Sequence, residues 1–148
     1  MLFPELSLNS RVWVYAGSRD LDQTESNYLI DALNIFVSKW AAHGTSLYGN
    51  GMLYLNRFII LAVDESKMSA SGCSIDASVH FVKKMEHELN VDFLTRTNVV
   101  IESDGLLTTV HVSDLNKYMN ANLFNPMITS LSELNSSWKI PVGKSPFL

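Results

Sequence analysis

Hydrophobic residues in the first forty positions change from a strand pattern to a helix pattern. Residues 11–15 are β-branched and aromatic and precede a Gly-Ser pair, which predicts a first strand. Asp22 and Glu25 have the spacing of a capping box, and apolar residues then recur on one helical face at Leu29, Leu33, Phe36, Val37 and Trp40. Gly44 suits a C′ position, so we expect this helix to close near Ala42.

Two strand patterns come next and predict a hairpin. Residues 45–48 and 53–63 lie on either side of residues 49–51 (Gly-Asn-Gly), a connection that tolerates positive φ and suits a hairpin turn. The second segment ends in six consecutive apolar residues, 58–63. Because this run does not alternate with polar residues, it predicts a central strand that is covered on at least one face.

The chain then continues with a second helix and a second hairpin. A seam of apolar residues predicts a helix that begins near Ser74 or Ile75 and ends at Asn90. Residues 98–102 and 106–112 flank a Ser-Asp-Gly turn, which is a strong hairpin signal. The remaining pattern predicts short helical segments and one last extended segment.

The order of elements is therefore β-α-β-β-α-β, followed by an extra strand and a helical tail. This order is typical of a ferredoxin-like sandwich, an antiparallel sheet with two helices on one face. A thioredoxin-like or other small α+β arrangement is the alternative. With 148 residues, the whole chain 1–148 is expected to form one domain.

Composition and charge exclude several classes of protein. Hydrophobic residues make up 47% and charged residues 18%, which favours a packed core. The formal net charge of −4 argues against a nucleic-acid partner, which needs a basic face. The longest apolar run is far short of the roughly 20 residues of a membrane helix, and the first residues do not form a secretory signal. The single cysteine, Cys73, excludes an intramolecular disulfide and fits a reducing cytoplasm.

The predicted topology concentrates chemistry at one edge of the sheet. In a ferredoxin-like arrangement the first helix ends, the second begins and the apolar strand ends at this edge. The residues expected to meet there are Trp40, His43, Gly44, Asp64, Ser71, Gly72, Cys73 and Asp76. The positive end of a helix lowers the pKa of a thiol, and a nearby imidazole can act as general base. One hypothesis is therefore a catalytic site with Cys73 as nucleophile, His43 as base and Asp64 as the orienting carboxylate.

Two other interpretations of the same edge stay open. The free N–H groups at the start of the second helix could hold a phosphate or carboxylate, with ligand-binding residues Trp40, Ser71, Gly72, Ser74, Asp76 and His80. Alternatively the features are structural: Ser74 caps the helix, Gly72 makes a turn, Cys73 packs as a small apolar residue and His43 neutralises helix-end carbonyls. Asp76 and His80 have i, i+4 spacing and could form half of a metal site, but a third ligand would have to come from elsewhere. We expect no metal and no cofactor.

Several segments resemble a family of short bacterial proteins, about 150 residues long, that are often described as "ABC transporter ATPase". The resemblance lies in residues 10–15, Trp40-x-x-His43-Gly44, residues 56–59, residues 63–66, residues 71–81 and Trp138-x-x-Pro141. It implies an uncharacterised bacterial family and no catalytic assignment. An ABC-type ATPase needs a phosphate-binding loop. Residues 143–145 (Gly-Lys-Ser) do not form one, because Trp138 stands where the motif requires glycine.

The sequence favours a non-enzymatic module that binds a small anion or a protein partner. A second copy of the chain is one such partner, since a ferredoxin-like sheet exposes one face unless a tail covers it. The alternative is a thiol-dependent hydrolase or transferase that uses Cys73 with His43.

Overall fold

The computed structural model describes residues 1–42 and 44–148, which form a mixed α+β fold. Two 3-10 helices, Val112–Lys117 and Val142–Lys144, accompany the regular elements. Those elements are β1 (Arg11–Ala16), α1 (Gln23–Lys39), β2 (Ala41–Ala42), β3 (Thr45–Ser46), β4 (Gly49–Tyr54), β5 (Phe58–Val63), α2 (Gly72–Leu89), β6 (Asn98–Ser103), β7 (Leu106–His111), β8 (Asn122–Phe124), α3 (Leu131–Ser136) and β9 (Lys139–Pro141).

The first sheet has the order β1-β5-β4, and both pairs are antiparallel. All six residues of β5 are buried, so the predicted central strand is confirmed. Successive side chains of a strand point to opposite faces. Ile59, Leu61 and Val63 therefore join the core under the helices, whereas Phe58 and Ile60 belong to a second core on the other face.

The helices α1 and α2 run antiparallel across the first of these faces. The ring of Phe36, near the end of α1, stacks on that of Phe81 in α2 with centroids 4.9 Å apart. The predicted capping box of α1 is confirmed, but the helix ends at Lys39 rather than near Ala42. Trp40 adopts an extended conformation, and Ala41–Ala42 then pair with Thr45–Ser46. Gly44, at φ +78°, belongs to this small hairpin and not to a helix cap.

The turn predicted at residues 49–51 lies elsewhere, because those residues form the start of β4. The turn of the β4–β5 hairpin is at residues 55–57, where the Arg57 N–H donates to the Tyr54 carbonyl. The glycines at 49 and 51 are explained by close packing and not by a turn. A Cβ on Gly51 would lie 2.9 Å from Leu61 Cδ2 and 3.1 Å from Leu33 Cδ1, so glycine lets α1 approach the sheet closely.

The second sheet, with order β7-β6-β8-β9, packs on the remaining face of the first sheet. Its first hairpin is as predicted, with Asp104 and Gly105 at positive φ in a tight turn. Phe124 and Trp138 from this half of the chain pack around Phe58 of the first sheet. The C-terminal part of the chain therefore covers the face that a ferredoxin-like sheet leaves open.

The four-stranded sheet expected for a ferredoxin-like sandwich does not form within the described part of the chain. The strand after α2, β6, pairs with β7 and β8 and not with β1. The outer edge of β1 is occupied instead, since the Val12 N–H donates to the Thr129 carbonyl and Arg11 bridges to Ser130. The predicted start of α2 also shifts, because Ser71 caps a helix that begins at Gly72; its end at Asn90 is confirmed.

Candidate functional site

The end of α1 and the start of α2 meet through a buried hydrogen bond. The indole N–H of Trp40 donates to the carbonyl of Ser74 at 2.8 Å. Trp40 is held against the sheet by the edge of Trp13, whose ring centroid lies 6.0 Å away. Trp40 follows the last residue of α1 in an extended conformation, and its indole N–H reaches the first turn of α2.

A cavity of about 290 Å³ opens beside this junction. It brings together Trp40, Cys73 and Ser74, three of the residues singled out in the sequence. Its full lining is Ile35, Phe36, Lys39, Trp40, Ala41, Cys73, Ser74 and Ala77. Lys39 was missed in the sequence, although its spacing of four from Ile35 places both on one face of α1.

The first turn of α2 is capped by Ser71. The Ser74 N–H donates to the Ser71 hydroxyl at 3.1 Å, and the Ser74 hydroxyl donates to the Ser71 carbonyl at 2.8 Å. Ser71 therefore has the capping role that the structural interpretation gave to Ser74, which is only 2% exposed. Within the described residues, the N–H groups of Gly72 and Cys73 have no acceptor, as is usual for the first turn of a helix.

Cys73 is a free, exposed cysteine and does not pack in the core. Gly72 is exposed as well, and a Cβ placed on it would have no heavy atom within 4 Å. The thiol thus lies at an open rim, on the positive end of a helix and in the same lining as the Lys39 side chain. This setting exposes the sulfur to a ligand or a reagent.

The other members of the proposed catalytic set are placed differently. The carboxylate of Asp64 accepts hydrogen bonds from the Ser66 hydroxyl at 2.6 Å and from the Ser66 N–H at 3.0 Å. The bond from the Ser66 hydroxyl, the largest cause, holds the pKa of Asp64 below its ordinary value. Asp64 is not part of the cavity lining, and His43 lies outside the described residues.

Asp76 and His80 lie on the exposed surface of α2 and do not line the cavity at Cys73. No hydrogen bond or ion pair joins them in the described structure. Across residues 1–42 and 44–148, no group of three His, Cys, Asp or Glu side chains is arranged to hold a metal ion.

No known protein family, curated protein or solved structure matches the chain. Among the helices of the described residues, none combines the length and apolar character that a membrane crossing requires.

Proposed function

We propose that this chain is a non-enzymatic binding module that holds a small organic anion in the cavity between α1 and α2. The observation that carries the proposal is the convergence of Lys39, Trp40 and Cys73 around one opening. Its volume of about 290 Å³ lies near the lower end of the range for ligand pockets, roughly 300–1,000 Å³. The cavity therefore suits a compact ligand.

The body of the ligand should be apolar. Ile35, Phe36 and Ala77 contribute hydrocarbon to the wall, and the Trp40 indole has already given its N–H to Ser74. An apolar group that enters such a cavity removes hydrocarbon surface from water without leaving a buried polar atom unpaired.

The head of the ligand should be negatively charged. The Lys39 side chain forms no ion pair with an acidic residue of the described chain, and it lines the cavity. The unbonded N–H groups of Gly72 and Cys73 and the dipole of an 18-residue helix add positive potential at the same rim. A carboxylate or a phosphate ester satisfies these groups, whereas a cation would be repelled.

Matched ligands can separate the two halves of this proposal. Titration calorimetry with phenylacetate, phenyl phosphate and neutral phenylacetamide should show binding of one or both anions and at least about tenfold weaker binding of the amide. Lys39→Met should weaken anion binding about tenfold, since charge-assisted hydrogen bonds contribute on the order of 1.5 kcal/mol or more. Lys144→Met is the control for an exposed lysine elsewhere. Equal binding of anion and amide would contradict the charged head, and binding of none would contradict the site.

A thiol-dependent hydrolase or transferase is the second candidate, because the exposed thiol of Cys73 lines the cavity. In that case His43 would be the general base. The rate of alkylation by iodoacetamide as a function of pH tests it, with Cys73→Ser as the blank. An activated nucleophile should react fast below pH 7, and a profile like that of free cysteine, with a midpoint near about 8.5, counts against the enzyme.

Three broader assignments belong to the same proposal. The order β1-β5-β4 and the antiparallel pair of helices support a relation of residues 11–89 to the ferredoxin-like sandwich, with the closing strand moved to the second sheet. The residues quoted for the short bacterial family support membership in it, and the lack of a phosphate-binding loop in the sequence argues against an ABC-type ATPase.

The exposed single thiol suits the reducing cytoplasm. A protein partner or second copy would have to use a surface other than the covered sheet face.

A further inference from the structure

A second and larger cavity lies on the other side of the first sheet. It has a volume of about 370 Å³ and opens between the β4–β5 turn and the segment that joins α3 to β9. Its lining is Tyr54, Leu55, Glu102, Phe124, Leu134, Asn135, Ser136, Trp138 and Lys139. It shares no residue with the cavity at Cys73, so a ligand bound here is independent of the proposed anion site.

Trp138 in the wall of this cavity has a buried hydrogen-bond donor without a partner in the described structure. Its side chain is 5% exposed, and its indole N–H has no acceptor within the described structure. Buried indole N–H groups normally find a partner, because an unpaired donor loses its bond to water without compensation. Trp40, the other buried tryptophan, shows the usual outcome with its bond to Ser74. The unpaired donor of Trp138 therefore points to an acceptor supplied by a ligand.

Leu55 at the mouth of the cavity is held in an unfavourable backbone conformation. Leu55 and Asn56 have φ of 54° and 55°, which is the left-handed region. Such turns normally use asparagine, aspartate or glycine, because a branched side chain is strained there. Strained residues cluster at ligand sites, and Leu55 is one of the residues that line this cavity. The turn does not require leucine at this position, whereas the cavity gains an apolar side chain from it.

The lining is aromatic on its walls and polar at one point. Tyr54 and Phe124 both pack against Trp138, with ring centroids 5.6 Å and 4.9 Å away. Lys139 Nζ lies 3.1 Å from Glu102 Oε2, so an ammonium donor and a carboxylate acceptor stand side by side at the rim. Two further polar side chains of the lining are already occupied, since Asn135 bonds to the backbone of Leu2 and Ser136 to that of Ser132.

We propose that this cavity binds a small planar heteroaromatic molecule whose edge carries a donor beside an acceptor, as in nucleobases and nicotinamide. The ring stacks on Tyr54 and meets Trp138 at the edge that carries the indole N–H, since a donor in the plane of the indole reaches only an acceptor beside the ring. Lys139 and Glu102 bind the polar edge, and a ring or amide acceptor takes the Trp138 N–H. The N–H is shielded from solvent, so entry of the ligand requires side chains of the lining to shift.

The indole N–H resonances of the uniformly ¹⁵N-labelled chain test this proposal directly. The three tryptophans give three indole signals, and Trp138→Phe assigns the one of interest. Titration with adenine or nicotinamide should shift the Trp138 signal and leave that of Trp13 unmoved. Cyclohexanecarboxamide, which has the amide but no flat ring, should bind at least about tenfold more weakly than nicotinamide. Unmoved signals at millimolar adenine and nicotinamide, or equal binding of the non-planar amide, would overturn the proposal.

Variants decide which groups hold the ligand. Trp138→Phe keeps an aromatic ring and removes the donor, so it should weaken binding about tenfold, as followed by the amide signals of β9. Should that variant lose its far-ultraviolet circular dichroism, Leu55→Asn and Lys139→Met replace it, each on the surface of the fold. Each should weaken binding at least about threefold, while Trp13→Phe should not. Unchanged affinity in both Leu55→Asn and Lys139→Met would contradict the site.

Discussion

The indole N–H of Trp40 and the carbonyl of Ser74 are 2.8 Å apart, although 34 residues separate them in the sequence. This bond fixes the end of α1 against the first turn of α2. The cavity at Cys73 has Trp40 and Ser74 in its wall, so its shape depends on the bond. A side chain that sits in the core thus positions the rim where ligand binding is proposed.

Trp40→Phe should therefore destabilise the fold more than the same change at Trp13. Trp40 loses a buried hydrogen bond as well as part of a ring, so we expect a loss of about 2 kcal/mol in the free energy of unfolding. Trp13 is only partly buried and has no side-chain hydrogen bond in the described structure, so Trp13→Phe should cost less than about 1 kcal/mol. Urea denaturation of both variants measures the difference. Equal losses would show that the bond to Ser74 adds nothing.

Arg57 should hold the two sheets together. Its side chain is 7% exposed and donates to Thr109 Oγ1 at 2.6 Å, to the Gly17 carbonyl and to Asp20, whose own side chain is 65% exposed. Arg57→Met should lower the free energy of unfolding by about 2 kcal/mol, mostly through the bonds to Thr109 and Gly17, because Asp20 stays hydrated. The exposed Arg96→Met should change it by less than about 0.5 kcal/mol. Urea denaturation measures the free energy of unfolding of both variants. An unchanged value for Arg57→Met would mean that packing alone joins the sheets.

The stability of the fold should fall in acid partly through Glu25. Its hydrogen bonds from Arg19, reinforced by the Asp22 N–H, lower the pKa of Glu25 from 4.5 to about 2. A carboxylate with a lowered pKa stabilises the folded state fully above its unfolded value and loses that contribution as the pH falls through its folded value. The loss should therefore run from about pH 4.5 down to about pH 2. Urea denaturation across this range should give a shallower dependence for Glu25→Gln, with Glu5→Gln as control. Superimposable curves for Glu25→Gln and the unchanged chain would contradict this role.

Much of the fold could be predicted from local patterns. The capping box at Asp22, the apolar run of β5 and the Asp-Gly turn at residues 104–105 each specify their structure within a few residues. The glycines of β4 led to the wrong prediction of a turn at residues 49–51. They are needed because α1, which is distant in sequence, approaches the strand closely there. The place of β6 could not be predicted either, since the segment that takes the edge of β1 lies more than a hundred residues later.

The candidate site also has residues that the sequence predicted and residues that it did not. The predicted topology brought Trp40 and Cys73 to one edge, with Ser74 as a possible anion-binding residue, and the described residues bring these three around a common cavity. Lys39 was overlooked because a lone lysine in the last turn of a helix is usually a solvated partner of the helix dipole. The second cavity had no sequence signal, because Leu55 and Trp138 are ordinary hydrophobic residues until the turn conformation and the unpaired N–H are seen.

Leu55→Asn should make the chain more stable while weakening the second cavity. Asparagine is favoured at positive φ, and Leu55 is 45% exposed, so relief of backbone strain should outweigh the small loss of apolar contact. We expect a gain of about 0.5–1 kcal/mol in the free energy of unfolding, measured by urea denaturation. Leu106→Asn, an exposed leucine in a strand, is the control and should give no gain. A stabilised chain that has also lost affinity for nicotinamide would mean that the strain is retained for binding, whereas a destabilised Leu55→Asn would show that the turn tolerates leucine without strain.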